Sequence, residues 1–165
     1  PAGDNRPRYC CRHCGTIHYQ NPRMVVGTVT VWEDRVLLCK RNIEPRKGKW
    51  TLPAGFMELG ESVEEGAKRE AHEEARADLE IETLLGMYSI PRIGQVQIFF
   101  RARLMNDPSP GPESLDVGMF GWDDIPWKEL AFPSVRWALD HYRQSEGRTG
   151  FPPFGNPPET DRLTR

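Results

Sequence analysis

The stretch that most limits what this chain can fold into is residues 55–77, GFMELGESVEEGAKREAHEEARA. Ser62 is a good helix N-cap, and Glu65 three residues later completes a capping box. Residues 63–76 are rich in Ala and Glu, both strong helix formers, so a helix is expected there. On it Glu70, Glu73 and Glu74 stand at i, i+3 and i+4 and share one face. Carboxylates crowded in this way repel one another unless a cation neutralises them. An all-oxygen donor set selects Mg²⁺ or Mn²⁺ over Zn²⁺. Val63, Ala67 and Ala71, at i, i+4 and i+8, make a second face small enough to pack closely on a sheet. The plainer reading of the same composition is a solvated helix laced with salt bridges. Against it stand Gly55 and Gly60, which shape a loop ahead of the helix. Arg69 is placed to hold a carboxylate bidentately, and the run Trp50-Thr51-Leu52-Pro53 leads directly into the loop.

The remaining 142 or so residues must supply that sheet. A chain of 165 residues is of single-domain size. Strands are expected over Met24–Trp32, Arg35–Lys40, Leu79–Ile90, Val96–Leu104 and Val117–Trp122, with a short extended piece at Trp50–Pro53. Pro133 suits the first position of a last helix over Ser134–Gln144. Strands with one helix in the middle and one at the end predict an α/β (α+β) fold with mixed strand pairing. The organisation expected is a segment and linker over 1–22, a main domain over 23–146 and a Pro/Gly-rich tail over 147–165. The net charge of −2 argues against a nucleic-acid coat or a polybasic membrane binder. No apolar run approaches the ~18 residues of a membrane span.

Cys10, Cys11 and Cys14 lie within five residues, and Cys39 stands in a strand pattern. The cluster suggests a metal site in a reducing compartment, hence the cytoplasm, more than disulfides. Cys11-x-x-Cys14-Gly15 has zinc-knuckle spacing, but structural zinc takes four ligands. Three arrangements are open: a second pair upstream of Pro1, where a longer chain is expected; completion by Cys10, His13 or His18; or no metal. Cys39 is expected in the core and His72 on the solvent side of the helix.

The acidic stretch resembles the Nudix box, the signature of hydrolases that act on a nucleoside diphosphate linked to another group. The residues that carry the resemblance are Gly55, Glu61, Arg69, Glu70, Ala71, Glu73, Glu74 and Ala77. Arg76 departs from it, standing where the box has a Gly that allows a left-handed helix end. CRHCGTIHYQNP resembles the second half of a zinc ribbon that precedes some Nudix domains. LLCKRNIEP, GKWTLPAGF, PGPESLDVGMF and IPW…LAFPS resemble a bacterial and plant group of FAD and ADP-ribose pyrophosphatases.

The resemblance implies a Nudix fold, a mixed sheet sandwiched between helices, with a partial zinc ribbon in front. It implies Mg²⁺- or Mn²⁺-dependent hydrolysis of a pyrophosphate bond, releasing AMP from FAD or ADP-ribose. Glu70, Glu73 and Glu74 become the metal ligands, with the Ala54 carbonyl and Glu61 as further donors. Arg69 orients the carboxylates, and Glu113, in a Pro/Gly loop, is the candidate base or a further metal anchor. Arg41, Arg46 and Lys49, with Lys47 and Arg92 behind them, become candidate phosphate or ribose contacts. Tyr88, Phe99 and Trp122 become candidate stacking partners for a base. Cys11 and Cys14 become zinc ligands, with the zinc structural rather than catalytic. The implied partners are a small nucleotide and, by family habit, a second copy in a homodimer. A nucleoside triphosphate sanitiser and a non-catalytic ligand-sensing module are the alternatives. The second is disfavoured because such modules typically lose box carboxylates.

Overall fold

The computed structural model describes residues 3–158 and 160. A two-stranded hairpin, β1 (Tyr9–Cys10) with β2 (Ile17–His18), comes first. The main sheet takes β3 (Arg23–Trp32), β4 (Arg35–Arg41), β5 (Trp50–Thr51), β6 (Ala54–Phe56), β7 (Leu79–Ile90), β8 (Gln95–Leu104) and β9 (Ser114–Gly121). Two helices, α1 (Val63–Ala75) and α2 (Pro133–Ser145), complete it. Its order is β5-β4-β3-β8-β7, with β6 also on β3 and β9 also on β4. The β3–β8 pair is parallel and the others antiparallel, giving the mixed sheet the sequence predicts.

Alternation along the strands sends side chains to two cores. On one face Leu37 and Cys39 of β4 and Ala102 and Leu104 of β8 pack on Ala71 and Ala75 of α1. Val26 and Phe100 pack there on Ala67. On the other face Val29, Val36, Leu38 and Phe99 meet Val135, Trp137, Leu139 and Tyr142 of α2. At about 1.5–3 kcal/mol for each large side chain buried, the α2 face is the larger anchor, because its residues are bigger. Thr28 and Thr30 are fully buried, and their hydroxyls satisfy each other at 2.8 Å.

The strands fall where the sequence places them, within a few residues. The hairpin strands β1 and β2 are unforeseen, and so in the main sheet is β6. It pairs with β3 at Val25–Gly27, while β4 touches β3 only at Val31–Trp32. The sheet therefore splays between β3 and β4, and a cleft opens in the gap.

The capping box forms as the sequence predicts. The Glu65 N–H donates to Ser62 Oγ at 3.2 Å, and the Ser62 N–H donates to Glu65 Oε2 at 2.7 Å. The helix also ends as though Arg76 were Gly. Arg76 has φ 48° and ψ 31°, and its N–H reaches the carbonyls of Ala71 and His72. A non-Gly residue there costs about 1–2 kcal/mol. Asn106 offsets part of it, its side-chain amide donating to the Arg76 carbonyl at 2.9 Å while its Oδ1 accepts the Asp78 N–H at 2.8 Å.

The segment after α2 lies against the domain. The Phe154 N–H donates to Leu85 O at 2.9 Å, and Phe154 O accepts the Met87 N–H at 2.8 Å. The Phe154 ring stacks on His141 at 4.4 Å. Residues 159 and 161–165 of the expected tail, and residues 1–2 of the expected linker, lie outside the described residues.

Candidate active site

The box helix leaves Glu64, Glu65 and Glu73 toward solvent but turns two carboxylates inward, which a salt-bridged surface helix would not do. Glu70 and Glu74 share its buried side with Ala67 and Ala71, at 8 % and 6 % exposure, and Glu73 alone of the three is exposed. Glu70 lies directly over Gly55, where a Cβ would stand 2.2 Å from its carboxylate. A side chain at this position would push the Glu70 carboxylate from its place. Glu74 Oε2 accepts the Ala54 N–H at 3.1 Å. Burial pushes the Glu74 carboxyl up to about 8, against the pull of that bond, and nearby Glu70 and Glu113 add to the rise. Burial likewise raises Glu70, against the pull of Arg69.

Arg69 gathers the rest of the acids. Its Nε and Nη2 hold Glu61 bidentately at 2.9 and 2.8 Å, and its Nη1 reaches Glu70 at 2.7 Å and Glu73 at 3.0 Å. Nη2 also donates to the Phe56 carbonyl at 3.0 Å, tying helix to loop. The guanidinium holds the Glu61 carboxyl well down, at about 2, with the Glu58 N–H assisting.

A Pro/Gly loop brings in a further acid. After β8 the chain docks on the end of α1, where the Ser109 N–H donates to Ala75 O at 2.8 Å and the Gly111 N–H to Glu74 O at 2.9 Å. These bonds satisfy the helix's last carbonyls. The approach is so close that a Cβ on Gly111 would sit 1.7 Å from the Glu73 carbonyl oxygen. Two residues later Glu113 reaches the cleft, its carbonyl accepting the Asn42 N–H at 2.9 Å. A register shift between Lys40 and Arg41, opposite Asp116 and Ser114, re-aims the end of β4 at this point.

Glu70, Glu73, Glu74 and Glu113 thus line one cleft of about 890 Å³, together with Ala54, Arg69, Arg41, Arg46 and Arg92. Lys49 does not line it; its Nζ is paired with Glu129 at 2.6 Å. Lys47 is exposed and off the wall as well. Of the aromatic candidates only Phe99 lines the cleft. Tyr88 is fully buried, its hydroxyl 2.8 Å from His141 Nδ1, and Trp122 stacks on Tyr142. Phe132 and Trp137 line the cleft without having been singled out. Their sequence signal, the Phe-Pro that opens α2, reads only as a helix start.

The donors fit a hard divalent cation: all are oxygens, and Glu74 Oε1 has no hydrogen-bond partner among the described residues. No group of three or more His, Cys, Asp or Glu side chains among the described residues is arranged to hold an ion as it stands. Glu70 and Glu73 are turned onto Arg69 instead of onto a common point. The same holds for the cysteines. Cys14 Sγ lies 3.1 Å from Thr16 Oγ1, and the thiol of exposed Cys10 points to the Gly15 carbonyl at 3.4 Å. The bond to Thr16 chiefly draws the Cys14 thiol down to about 7. Cys39 is buried and His72 is exposed beside Asp78, as the sequence predicts.

Comparison with known proteins agrees with this geometry. The zinc-ribbon family described as Nudix N-terminal matches residues 1–20, and the family described as NUDIX domain matches residues 21–140. A crystal structure of a NUDIX hydrolase from Nitrosomonas europaea is 48% identical, with a TM-score of 0.86, covering 94% of this chain and 92% of that one. The ADP-ribose pyrophosphatase of Methanocaldococcus jannaschii is 31% identical over 134 residues, 78% of each protein. The NAD-capped RNA hydrolase NudC of Edwardsiella ictaluri is 35% identical over 90 residues, 54% of this chain and 34% of that protein. With its acidic helix, its Arg69 hub and a family match over most of its length, the chain belongs to the Nudix hydrolases.

Proposed function

We propose that this enzyme hydrolyses the pyrophosphate bond of ADP-ribose or a related dinucleotide such as FAD, releasing AMP. The observation that carries the reading is the convergence of Glu70, Glu73, Glu74 and Glu113 with Arg41, Arg46 and Arg92 on one cleft. Its volume of about 890 Å³ is at the upper end of small-molecule sites, which suits a ligand with a group on each side of a pyrophosphate better than a compact one. The names of the relatives above, which concern ADP-ribose and NAD-capped RNA, support an adenosine diphosphate half in the substrate.

Glu70, Glu73 and Glu74 would hold a divalent ion, with the Ala54 carbonyl and Glu61 as outer donors. When bound, Mg²⁺ or Mn²⁺ supplies neutralisation of phosphoryl charge and a more acidic water. Arg69 keeps the carboxylates in register. Glu113 accepts the proton of the water that attacks phosphorus. Arg41, Arg46 and Arg92 hold phosphate and ribose oxygens, and Phe99 offers a face to a base. On this reading residues 1–22 form the ribbon segment, with Cys11 and Cys14 its structural zinc ligands. Residues 23–146 form the catalytic domain, 147–165 the tail, and the enzyme works in the cytoplasm.

A product-resolved assay with ADP-ribose, FAD, NADH and deoxynucleoside triphosphates, each with and without Mg²⁺, tests this. AMP release that depends on the metal is the expected result. Triphosphates turned over more than about tenfold faster by kcat/KM, a difference of about 1.4 kcal/mol, would replace the dinucleotide by a triphosphate.

A further inference from the structure

One polar feature of the cleft is used by none of these acids. α2 enters the cleft wall by its N-terminus, through Phe132, Pro133, Ser134 and Val135. That end carries no cap: Phe132 supplies no side-chain hydrogen bond, Pro133 holds an opening position, and the first turn has no acid. The Val135 N–H turns back to the Phe132 carbonyl at 3.2 Å, and Pro133 has no N–H to offer. Ser134 is left with two donors. It is only 3 % exposed, yet among the described residues neither its N–H nor its hydroxyl has a hydrogen-bond partner. Two donors without a protein partner on one nearly buried residue of a cleft wall are free to meet a ligand. The hydroxyl is not sealed off. Arg101 Nε is the one fully enclosed side-chain nitrogen or oxygen without a partner among the described residues. The surface Ser134 keeps therefore opens to the cleft it lines.

The surroundings choose the sign of that ligand. A helix N-terminus carries roughly half a positive charge. The Arg41 guanidinium lies 5.2 Å over the ring of Phe132, the residue that begins the helix. Its Nε donates to the Pro45 carbonyl at 2.9 Å, and its terminal nitrogens have no partner among the described residues. Arg46 also lines the cleft. Of the acids in the cleft, Glu70 and Glu73 are already paired with Arg69, while Glu74 and Glu113 also line it and the Arg41 charge bears on the Glu74 carboxyl without a hydrogen bond to it.

We propose that the N-terminus of α2 is an oxyanion subsite, in which the Ser134 N–H and hydroxyl, with the free end of Arg41, hold a phosphate group of the ligand. The subsite is distinct from the acidic helix and needs no metal. It binds a phosphate whether or not the hydrolytic reading above is right.

The test uses the full chain, kept metal-free with EDTA and labelled with ¹⁵N, titrated with inorganic phosphate and separately with ribose 5-phosphate. The Ser134 amide resonance is expected to move in a saturable way with both. Tighter binding of ribose 5-phosphate marks a phosphate ester as the ligand, and equal binding marks the phosphate group itself. Ser134→Asp, with its fold checked by the dispersion of its amide spectrum, sets a negative charge at the subsite and is expected to weaken phosphate at least about tenfold. Ser134→Ala keeps the N–H and is expected to weaken it by about two- to fivefold. A Ser134 resonance that stays still under saturating phosphate overturns the proposal, as does a Ser134→Asp protein that binds phosphate as tightly as the parent.

Discussion

Replacing Gly111 by Ala places a methyl group where the structure has no room. The added Cβ would lie 1.7 Å from the Glu73 carbonyl oxygen and 2.8 Å from its carbonyl carbon. Both atoms are helix backbone and cannot swing aside. Restoring an ordinary carbon–oxygen contact of about 3.3 Å requires the loop to retreat by roughly 1.5 Å. That retreat gives up the 2.9 Å bond from the Gly111 N–H to Glu74 O and strains the 2.8 Å bond from the Ser109 N–H to Ala75 O. At about 1 kcal/mol each, with some relaxation, the fold loses about 1–3 kcal/mol. Glu113 moves with the loop. A misplacement of about 1 Å in a reacting group costs on the order of 10²-fold, so kcat for AMP release from ADP-ribose at saturating Mg²⁺ is expected to fall by about that factor. Urea denaturation measures the first effect and steady-state kinetics the second. A double-mutant cycle with Glu113→Gln separates them. If Gly111 acts through Glu113, the double variant is no slower than Glu113→Gln alone. A Gly111→Ala enzyme within about threefold of the parent kcat, less than 1 kcal/mol of barrier, would refute the link between this contact and the chemistry.

Three further outcomes are expected. Glu73→Gln removes one exposed charge of the proposed ligand set and should lower kcat by at least ~10²-fold with no loss of thermal stability; activity near that of the parent would move the proposed metal off this helix. Glu74, held up at about 8 by burial, binds a proton in the folded state that the unfolded chain has already released above its usual value of 4.5. Its contribution to stability therefore falls as pH rises between those values, and a cation must displace the proton below about 8. Mn²⁺ affinity measured by calorimetry should rise by up to about tenfold per pH unit from 6 to 8 and then level off, and Glu74→Gln should flatten the profile. Arg76→Gly should relieve the left-handed strain at φ 48° and, after the extra chain entropy of Gly, stabilise the fold by about 0.5–1 kcal/mol without changing kcat, as chemical denaturation and kinetics would show.

Much of this protein is written locally. The capping box of Ser62 and Glu65, the spacing of Glu70, Glu73 and Glu74 and the strand periodicities all act over a few residues, so the chain itself determines where α1 and most of the strands lie. The Arg69 contacts within the helix follow from the same short range, since Glu70 and Glu73 are its immediate and i+4 neighbours. Everything that depends on two distant segments meeting was decided by the tertiary structure. Helical spacing puts Glu70 and Glu74 on one face, but only packing against the loop at Ala54 and Gly55 makes that face buried and raises Glu74. Lys49 and Arg41 look alike as basic residues ahead of the box. Lys49 is drawn off to Glu129, 80 residues away, while the end of β4 turns Arg41 toward Phe132 and the cleft. Glu113 is one loop carboxylate among several until Gly111 locks its loop onto the end of α1. Ser134 reads as an ordinary helix-start residue, and only the splay between β3 and β4 makes it part of a cleft wall. Capping and periodicity are short-range physics. Burial, ion-pair choice and the cleft itself come from long-range contacts, and their energies exist only once the sheet has closed around them.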